Sequence, residues 1–290
     1  MNERLRPLLL ACAGAGVLSL GGLVWLARDL VASPGNAEGR PSLLDILEEV
    51  RQGRPQQERP RRPAPPPPDE RRWLTPLAGR CAAPDPALVQ RMQALAATLE
   101  QRRMRVRIDP SNYGQRFQAD TFGNPVDPTP RVVVLHETVF GLRSALNTFL
   151  TPHPRDEDQV SYHTLIGERG EIVETVAPED RAFGAGNSAF DGRWVVTNPR
   201  VSGSINNFAL HLSLETPVDG EDEEPAHSGY SEAQYDAMAV VLADWMRRFP
   251  IEPQQITTHR HVDLNGERAD PRSFDWGKLG TRLQALGIRC

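Results

Sequence analysis

Val132-Val133-Val134-Leu135-His136-Glu137 is a run of β-branched residues and leucine that stops at a histidine and a glutamate. Its composition predicts a strand ending at His136. The stretch from 256 to 262, Ile-Thr-Thr-His-Arg-His-Val, is also rich in threonine and valine and carries His259 at a matching place. Eleven residues further on stands Asp270, in Arg-Ala-Asp-Pro-Arg. Together His136, His259 and Asp270 read as a zinc site of two histidines and one carboxylate, a set that leaves a fourth position open for water. Such an ion lowers the pKa of a water to about 7, so the set points to a metallohydrolase. The histidines lie 123 positions apart (259 minus 136). No short metalloprotease motif is present, and only folding can gather the ligands.

Outward from these strands the chain alternates strand and helix patterns. Residues 207 to 215 place Phe208, Leu210, Leu212 and Leu214 against Ala209, His211, Ser213 and Glu215, which predicts a strand with one core face and one polar face. If the polar face lines a cleft, His211 and Ser213 are candidates for substrate contact and Glu215 for catalysis. Pro86 to Arg103 and Ser231 to Phe249 read as helices. Ser231 and Gln234 form a capping-box signature, and Tyr235, Met238, Leu242, Trp245 and Phe249 recur at helical spacing. A last helix is expected from about Trp276 to Leu286. The expected fold is α/β, a mixed central sheet flanked by helices with zinc in a surface groove.

The sequence around the ligands resembles the zinc-dependent N-acetylmuramoyl-L-alanine amidases, the amidase type 2 and peptidoglycan recognition protein family. The resemblance covers roughly residues 130 to 280. It is carried by 132 to 137, Val-Ser-Tyr-His-Thr-Leu-Ile-Gly-Glu-Arg-Gly-Glu-Ile-Val at 160 to 173, Arg-Ala-Phe-Gly-Ala-Gly-Asn-Ser at 181 to 188, Asn-Asn-Phe-Ala-Leu-His-Leu-Ser-Leu-Glu at 206 to 215, and Thr258 to Trp276. It implies zinc ligation by His136, His259 and Asp270, a catalytic tyrosine at Tyr162, and a cation at Arg268, where members commonly have lysine, to stabilise an oxyanion. It implies hydrolysis of the amide between N-acetylmuramic acid and L-alanine, with peptidoglycan or muropeptides as partner. The chain departs from the pattern at Ser213, where others carry a glutamate, at Phe183-Gly184, where many have Trp-His or Tyr-His, and at Thr258, where glycine is usual. A non-catalytic peptidoglycan-binding receptor and a zinc peptidase of the stem peptide are the alternatives.

His261 competes with His259, because residues two apart on a strand share a face; the family pattern His-Arg favours His259. His163 is expected to be a buried, hydrogen-bonded core histidine, and His153 and His227 to be solvated.

The remaining sequence bears on location. Residues 8 to 27 contain no charge, and twenty helical residues span about 30 Å, the thickness of a bilayer core. This predicts a membrane anchor over residues 1 to 30, with a long signal sequence as the alternative; flanking charges give little orientation, and it is the amidase resemblance that implies a cytoplasmic tail and a catalytic domain facing the periplasm or cell wall. Residues 31 to 76 are expected to be a Pro/Arg-rich spacer, with eight prolines between 55 and 76, and 77 to 290 the amidase domain. Cys12 falls in the anchor, which leaves Cys81 and Cys290 free to pair in an oxidising compartment. A net charge of -5 and the lack of a concentrated basic face argue against nucleic acid as partner.

Overall fold

The structure is a computed structural model and describes residues 63–78, 83–199 and 202–288. The expected anchor and the Cys81–Cys290 pair lie outside those residues. Among the described residues no helix is long and apolar enough to cross a membrane.

The expected α/β architecture is present. A six-stranded sheet has the order β1 (Arg103–Arg105), β5 (Ile172–Glu174), β4 (Thr164–Ile166), β7 (Ala209–Leu214), β3 (Val132–Glu137), β8 (Ile256–Thr258). Strands β4, β7, β3 and β8 are mutually parallel, β5 runs antiparallel to β4, and β1 is parallel to β5. A two-stranded ribbon pairs β2 (Tyr113–Gly114) with β6 (Arg181–Ala182). Every residue of β3 and β7 is buried. That is the burial expected of parallel strands covered on both faces.

One face carries Val133, Leu135, Leu210, Leu212 and Leu214, packed with three helices, α1 (Pro86–Ala97), α3 (Glu232–Arg248) and α5 (Trp276–Ala285). Helix α3 starts where the capping box predicts, with Ser231 and Gln234 exchanging hydrogen bonds, and its Tyr235, Met238, Leu242 and Trp245 are all buried. The opposite face has two smaller clusters. Val132, Val134 and Ala209 pack with Ala185, Phe190, Ile205 and Val262. Leu165 and Val173 pack with Phe149 of α2 (Leu142–Leu150). Between those two clusters this face is polar and holds the candidate site.

Two expectations need correction. Residues 256 to 262 are not one strand: β8 ends at Thr258, whose hydroxyl accepts the His261 N–H at 3.3 Å and caps the single helical turn α4 (His259–Val262). The spacer expected to run to 76 already joins the fold at Trp73. That indole donates to the Gln254 carbonyl at 3.0 Å and packs on His261, Phe190 and Trp276.

Candidate metal centre

Register closes the gap of 123 positions between the two histidines. β3 and β8 are adjacent and parallel with Leu135 beside Thr258, so the next residue of each, His136 and His259, emerges at the same edge. This is the carboxyl end of the parallel strands, where open α/β sheets place their ligands. Asp270 is brought there by a loop that Asp263 shapes, its carboxylate accepting the N–H groups of Asn265, Glu267 and Arg268 at 3.1, 2.6 and 2.9 Å. The Asp270 carbonyl then accepts the Arg260 N–H at 2.9 Å, which closes the loop onto α4.

Ligand atoms of His136, His259 and Asp270 all lie within 4.8 Å of one another. His259 Nδ1 is 3.0 Å from Asp270 Oδ1, and His136 Nδ1 is 3.3 Å from Asp270 Oδ2. His136 is wholly buried, whereas the side chains of His259 and Asp270 are 11% and 17% exposed, so solvent reaches the cluster at His259 and Asp270. Burial and the neighbouring His259 push His136 down to about 4. Burial alone would raise Asp270, but the two imidazoles facing it hold it well below the usual carboxylate range. At neutral pH His136 is therefore a neutral imidazole beside an ionised Asp270 carboxylate, the forms in which these two groups bind a divalent cation.

His136 Nδ1 supplies the test of fit. It is buried and, among the described residues, makes no hydrogen bond of acceptable geometry, although it points at a carboxylate. An orphaned buried nitrogen in a set of two imidazoles and one carboxylate suits zinc.

Tyr162 stacks on His136 with ring centroids 4.4 Å apart. Burial first, and then the charge of Asp270, raise its phenol well above its ordinary value, so the hydroxyl keeps its proton and acts as a donor. Arg268 lies exposed on the loop, and no hydrogen bond or ion pair engages its guanidinium among the described residues. Its charge is felt at both His136 and Tyr162.

The polar residues of β7 do not line an open cleft. His211 and Ser213 are 0% exposed; His211 Nδ1 lies 3.0 Å from His136 Nε2, behind the cluster, and the Ser213 hydroxyl is buried without a partner among the described residues. Parallel packing covers both faces of the strand, so alternation of polarity here does not mean access to solvent. Glu215 is likewise committed, accepting the Leu142 N–H at 2.6 Å and the Glu168 N–H at 2.8 Å. It anchors the start of α2 and is not a free base.

Among the other histidines, His163 is the buried, bonded residue expected, accepting the His211 N–H at 2.9 Å. His261 turns away from the cluster onto Trp73, 4.5 Å between centroids, because residues two apart on a helical turn do not share a face. His153 is half-buried on Asn112. The His227 side chain is fully buried against Glu137 at 3.2 Å, not solvated.

A buried group invisible in the sequence surrounds Glu137. Its carboxylate accepts from the Tyr230 hydroxyl, the Arg272 N–H at 2.9 Å and the Arg272 guanidinium. The only available signal is position: Glu137 follows one candidate ligand and Arg272 stands two residues after another.

Comparison with known proteins agrees with the resemblance. The N-acetylmuramoyl-L-alanine amidase family, Amidase_2, matches residues 126–273. The chain is 31% identical over 121 residues to the 1,6-anhydro-N-acetylmuramyl-L-alanine amidase AmpD of Citrobacter freundii, a match that covers 42% of this chain and 56% of that protein. It is 27% identical over 176 residues to AmpD of Haemophilus influenzae, covering 59% and 74%. The chain thus spans little more than half the length of the Citrobacter relative. Among solved structures, a selenomethionine AmpD derivative is 26% identical with a TM-score of 0.45, covering 61% of this chain and 92% of that one. AmpDh3 from Pseudomonas aeruginosa, in complex with anhydromuramic pentapeptide, is 22% identical with a TM-score of 0.40, covering 62% and 64%.

Proposed function

We propose, from the premise that this chain belongs to the N-acetylmuramoyl-L-alanine amidase family Amidase_2, that it hydrolyses the amide between N-acetylmuramic acid and L-alanine in peptidoglycan or its fragments, with zinc held by His136, His259 and Asp270. The observation that carries the reading is the orphaned His136 Nδ1 facing Asp270 Oδ2 at 3.3 Å. The names of the AmpD relatives support an amide next to a muramyl group as the bond cleaved.

When bound, the zinc ion supplies Lewis-acid polarisation and brings water toward ionisation at neutral pH. The chain's own residues supply the remaining work. Tyr162, protonated and stacked on His136, donates a hydrogen bond to the oxyanion that develops on the scissile carbonyl. Arg268, exposed on the loop beside Asp270, adds a fixed positive charge at the same place, where such groups are worth most. The buried floor of His136 and His211 excludes water from below, leaving the exposed edge of His259 and Asp270 as the side from which substrate arrives. The uncharged run 8 to 27 supports a location in which the chain is anchored in the membrane and the domain faces the periplasm or cell wall.

A binding-only reading draws on two specific observations. Ser213 offers a hydroxyl where the family pattern has a carboxylate, and Glu215 is occupied by two amides. Mass spectrometry of purified peptidoglycan after incubation with the full chain, with and without a zinc chelator, separates the readings. Chelator-sensitive release of peptides beginning with L-alanine is the expected result. Binding without cleavage would overturn it in favour of a receptor, and cuts within the stem peptide would move the chain to the peptidases.

A further inference from the structure

His211 has no route to a bound substrate, being wholly buried beneath His136, yet its geometry is closely specified. Its Nδ1 lies 3.0 Å from His136 Nε2. Its ring is stacked on His163, 11° from parallel, and its backbone N–H donates to His163 Nδ1 at 2.9 Å. That last bond makes His163 Nδ1 an acceptor, so the neutral His163 ring carries its proton on Nε2, 3.2 Å from the Asp180 carbonyl.

The contact between His136 and His211 admits two arrangements, because one proton must lie between the two nitrogens. If His211 donates, the neutral His136 ring carries its own proton on Nδ1, and Nδ1 has no lone pair to offer a cation. If His136 donates from Nε2, its Nδ1 keeps a lone pair directed toward Asp270. Metal-binding histidines commonly have their other ring nitrogen fixed in this second way.

We propose that His211 is a positioning residue, whose Nδ1 accepts the Nε2 proton of His136 and so holds His136 Nδ1 as a metal donor. The inference rests on the reading of His136 as a zinc ligand.

Gly184 is an independent observation for it. Glycine is not required there by the backbone, since Gly184 is absent from the left-handed glycines. It is required by the ring: a Cβ at 184 would stand 2.4 Å from His211 Nδ1, the very atom in contact with His136. The chain therefore keeps position 184 empty of side chain so that His211 can occupy its place behind the ligand. Any larger residue there must push the His211 ring off His136.

The test is zinc affinity of the full chain, measured by chelator competition, for the unsubstituted protein, His211→Leu, His211→Asn, Gly184→Ala and the Gly184→Ala/His211→Leu pair. His211→Leu is expected to weaken zinc about 10- to 100-fold. His211→Asn, whose amide oxygen falls near the Nδ1 position as an acceptor, should recover most of that loss. Gly184→Ala should weaken zinc when His211 is present and add little when it is leucine, because the two changes act through one contact. A folded His211→Leu protein that binds zinc within twofold of the unsubstituted chain overturns the proposal, as does a Gly184→Ala loss of equal size in both backgrounds. Imidazole ¹H–¹⁵N spectra of the unsubstituted, zinc-loaded protein give a reading that does not depend on any variant folding: His136 protonated at Nε2 is expected, and protonation at Nδ1 overturns the assignment. An unsubstituted chain that binds no zinc would overturn the metal reading and this inference together; zinc binding with the wrong tautomer would overturn this inference alone.

Discussion

Arg272 Nε lies 2.5 Å from Glu137 Oε1, and the two side chains are 11% and 6% exposed. This pair fastens the loop that bears Asp270 to the strand that bears His136, since Glu137 follows one proposed ligand and Arg272 stands two residues beyond another. The same guanidinium also reaches the carbonyls of Asp222 and Glu224 at 3.0 and 2.7 Å. Removing one member of a buried pair leaves an uncompensated charge, at a cost of about 3–5 kcal/mol. Arg272→Met is therefore expected to lower unfolding stability by that order in denaturant titrations and to weaken zinc binding at the same time. A loss of stability below about 1 kcal/mol, the level of a surface pair, would show that the loop is held by other contacts.

His136→Ala and Tyr162→Phe should separate binding from chemistry. The first removes a buried proposed ligand, so zinc content and amidase activity should fall together. The second keeps the ring stack on His136, 4.4 Å between centroids, and deletes only the hydroxyl. Zinc affinity should hold while turnover falls about a hundredfold, the scale of one lost oxyanion donor. Metal analysis beside steady-state kinetics reads both quantities. Full turnover in Tyr162→Phe would remove that hydroxyl from the mechanism.

These residues also show which features are written locally in the sequence and which are not. A β-branched run ending in histidine announces the strand 132 to 137 through local composition, and a capping box announces the start of α3. The meeting of His136 with His259 depends on Leu135 lying beside Thr258, a long-range register that no local pattern encodes; only the family resemblance reaches it. Thr258 carries a legible signal of its own, since a threonine before His-Arg-His is a helix cap as readily as a strand residue. The alternation from 209 to 215 marks two faces of a strand, but it does not say that both are buried. Here His211 contacts His136, the Ser213 hydroxyl is enclosed, and Glu215 accepts two backbone N–H groups, so none of the three faces an open cleft.

Acid should destabilise the metal-free protein through its histidines. His136, His163 and His211 are all wholly buried, and burial lowers each, His136 to about 4 and the other two well below their ordinary value. In the unfolded chain each titrates near 6.5. Below that pH the unfolded state takes up protons that the folded state refuses, so unfolding is favoured increasingly as pH falls. For His136 the penalty grows from 6.5 down to about 4 and then stops; for the other two it continues. Each histidine contributes about 1.4 kcal/mol per pH unit within its window. Denaturant unfolding at about pH 7.5 and about pH 5.5, on either side of the unfolded histidine value, should show a large stability loss at the lower pH when a chelator is present. Equal stability at the two values would mean that the buried rings are protonated in the folded state.

Glu215→Ala decides between a catalytic and an architectural carboxylate. Both oxygens of Glu215 accept backbone N–H groups, from Leu142 at the start of α2 and from Glu168 after β4. Gly141 is the residue that precedes α2, and it supplies no side-chain cap, so Glu215 is the group that satisfies the helix's first orphaned donor. Its loss should act as loss of a helix cap does, lowering stability by about 0.5–2 kcal/mol. Zinc affinity and turnover should change little, because the residue touches neither the metal donors nor the side from which substrate approaches. Circular dichroism melts and steady-state kinetics on one preparation measure both effects. If turnover instead dropped a hundredfold or more while the melt stayed unchanged, Glu215 would return to the reaction, and its carboxylate would have to exchange the Leu142 and Glu168 amides for substrate during each cycle.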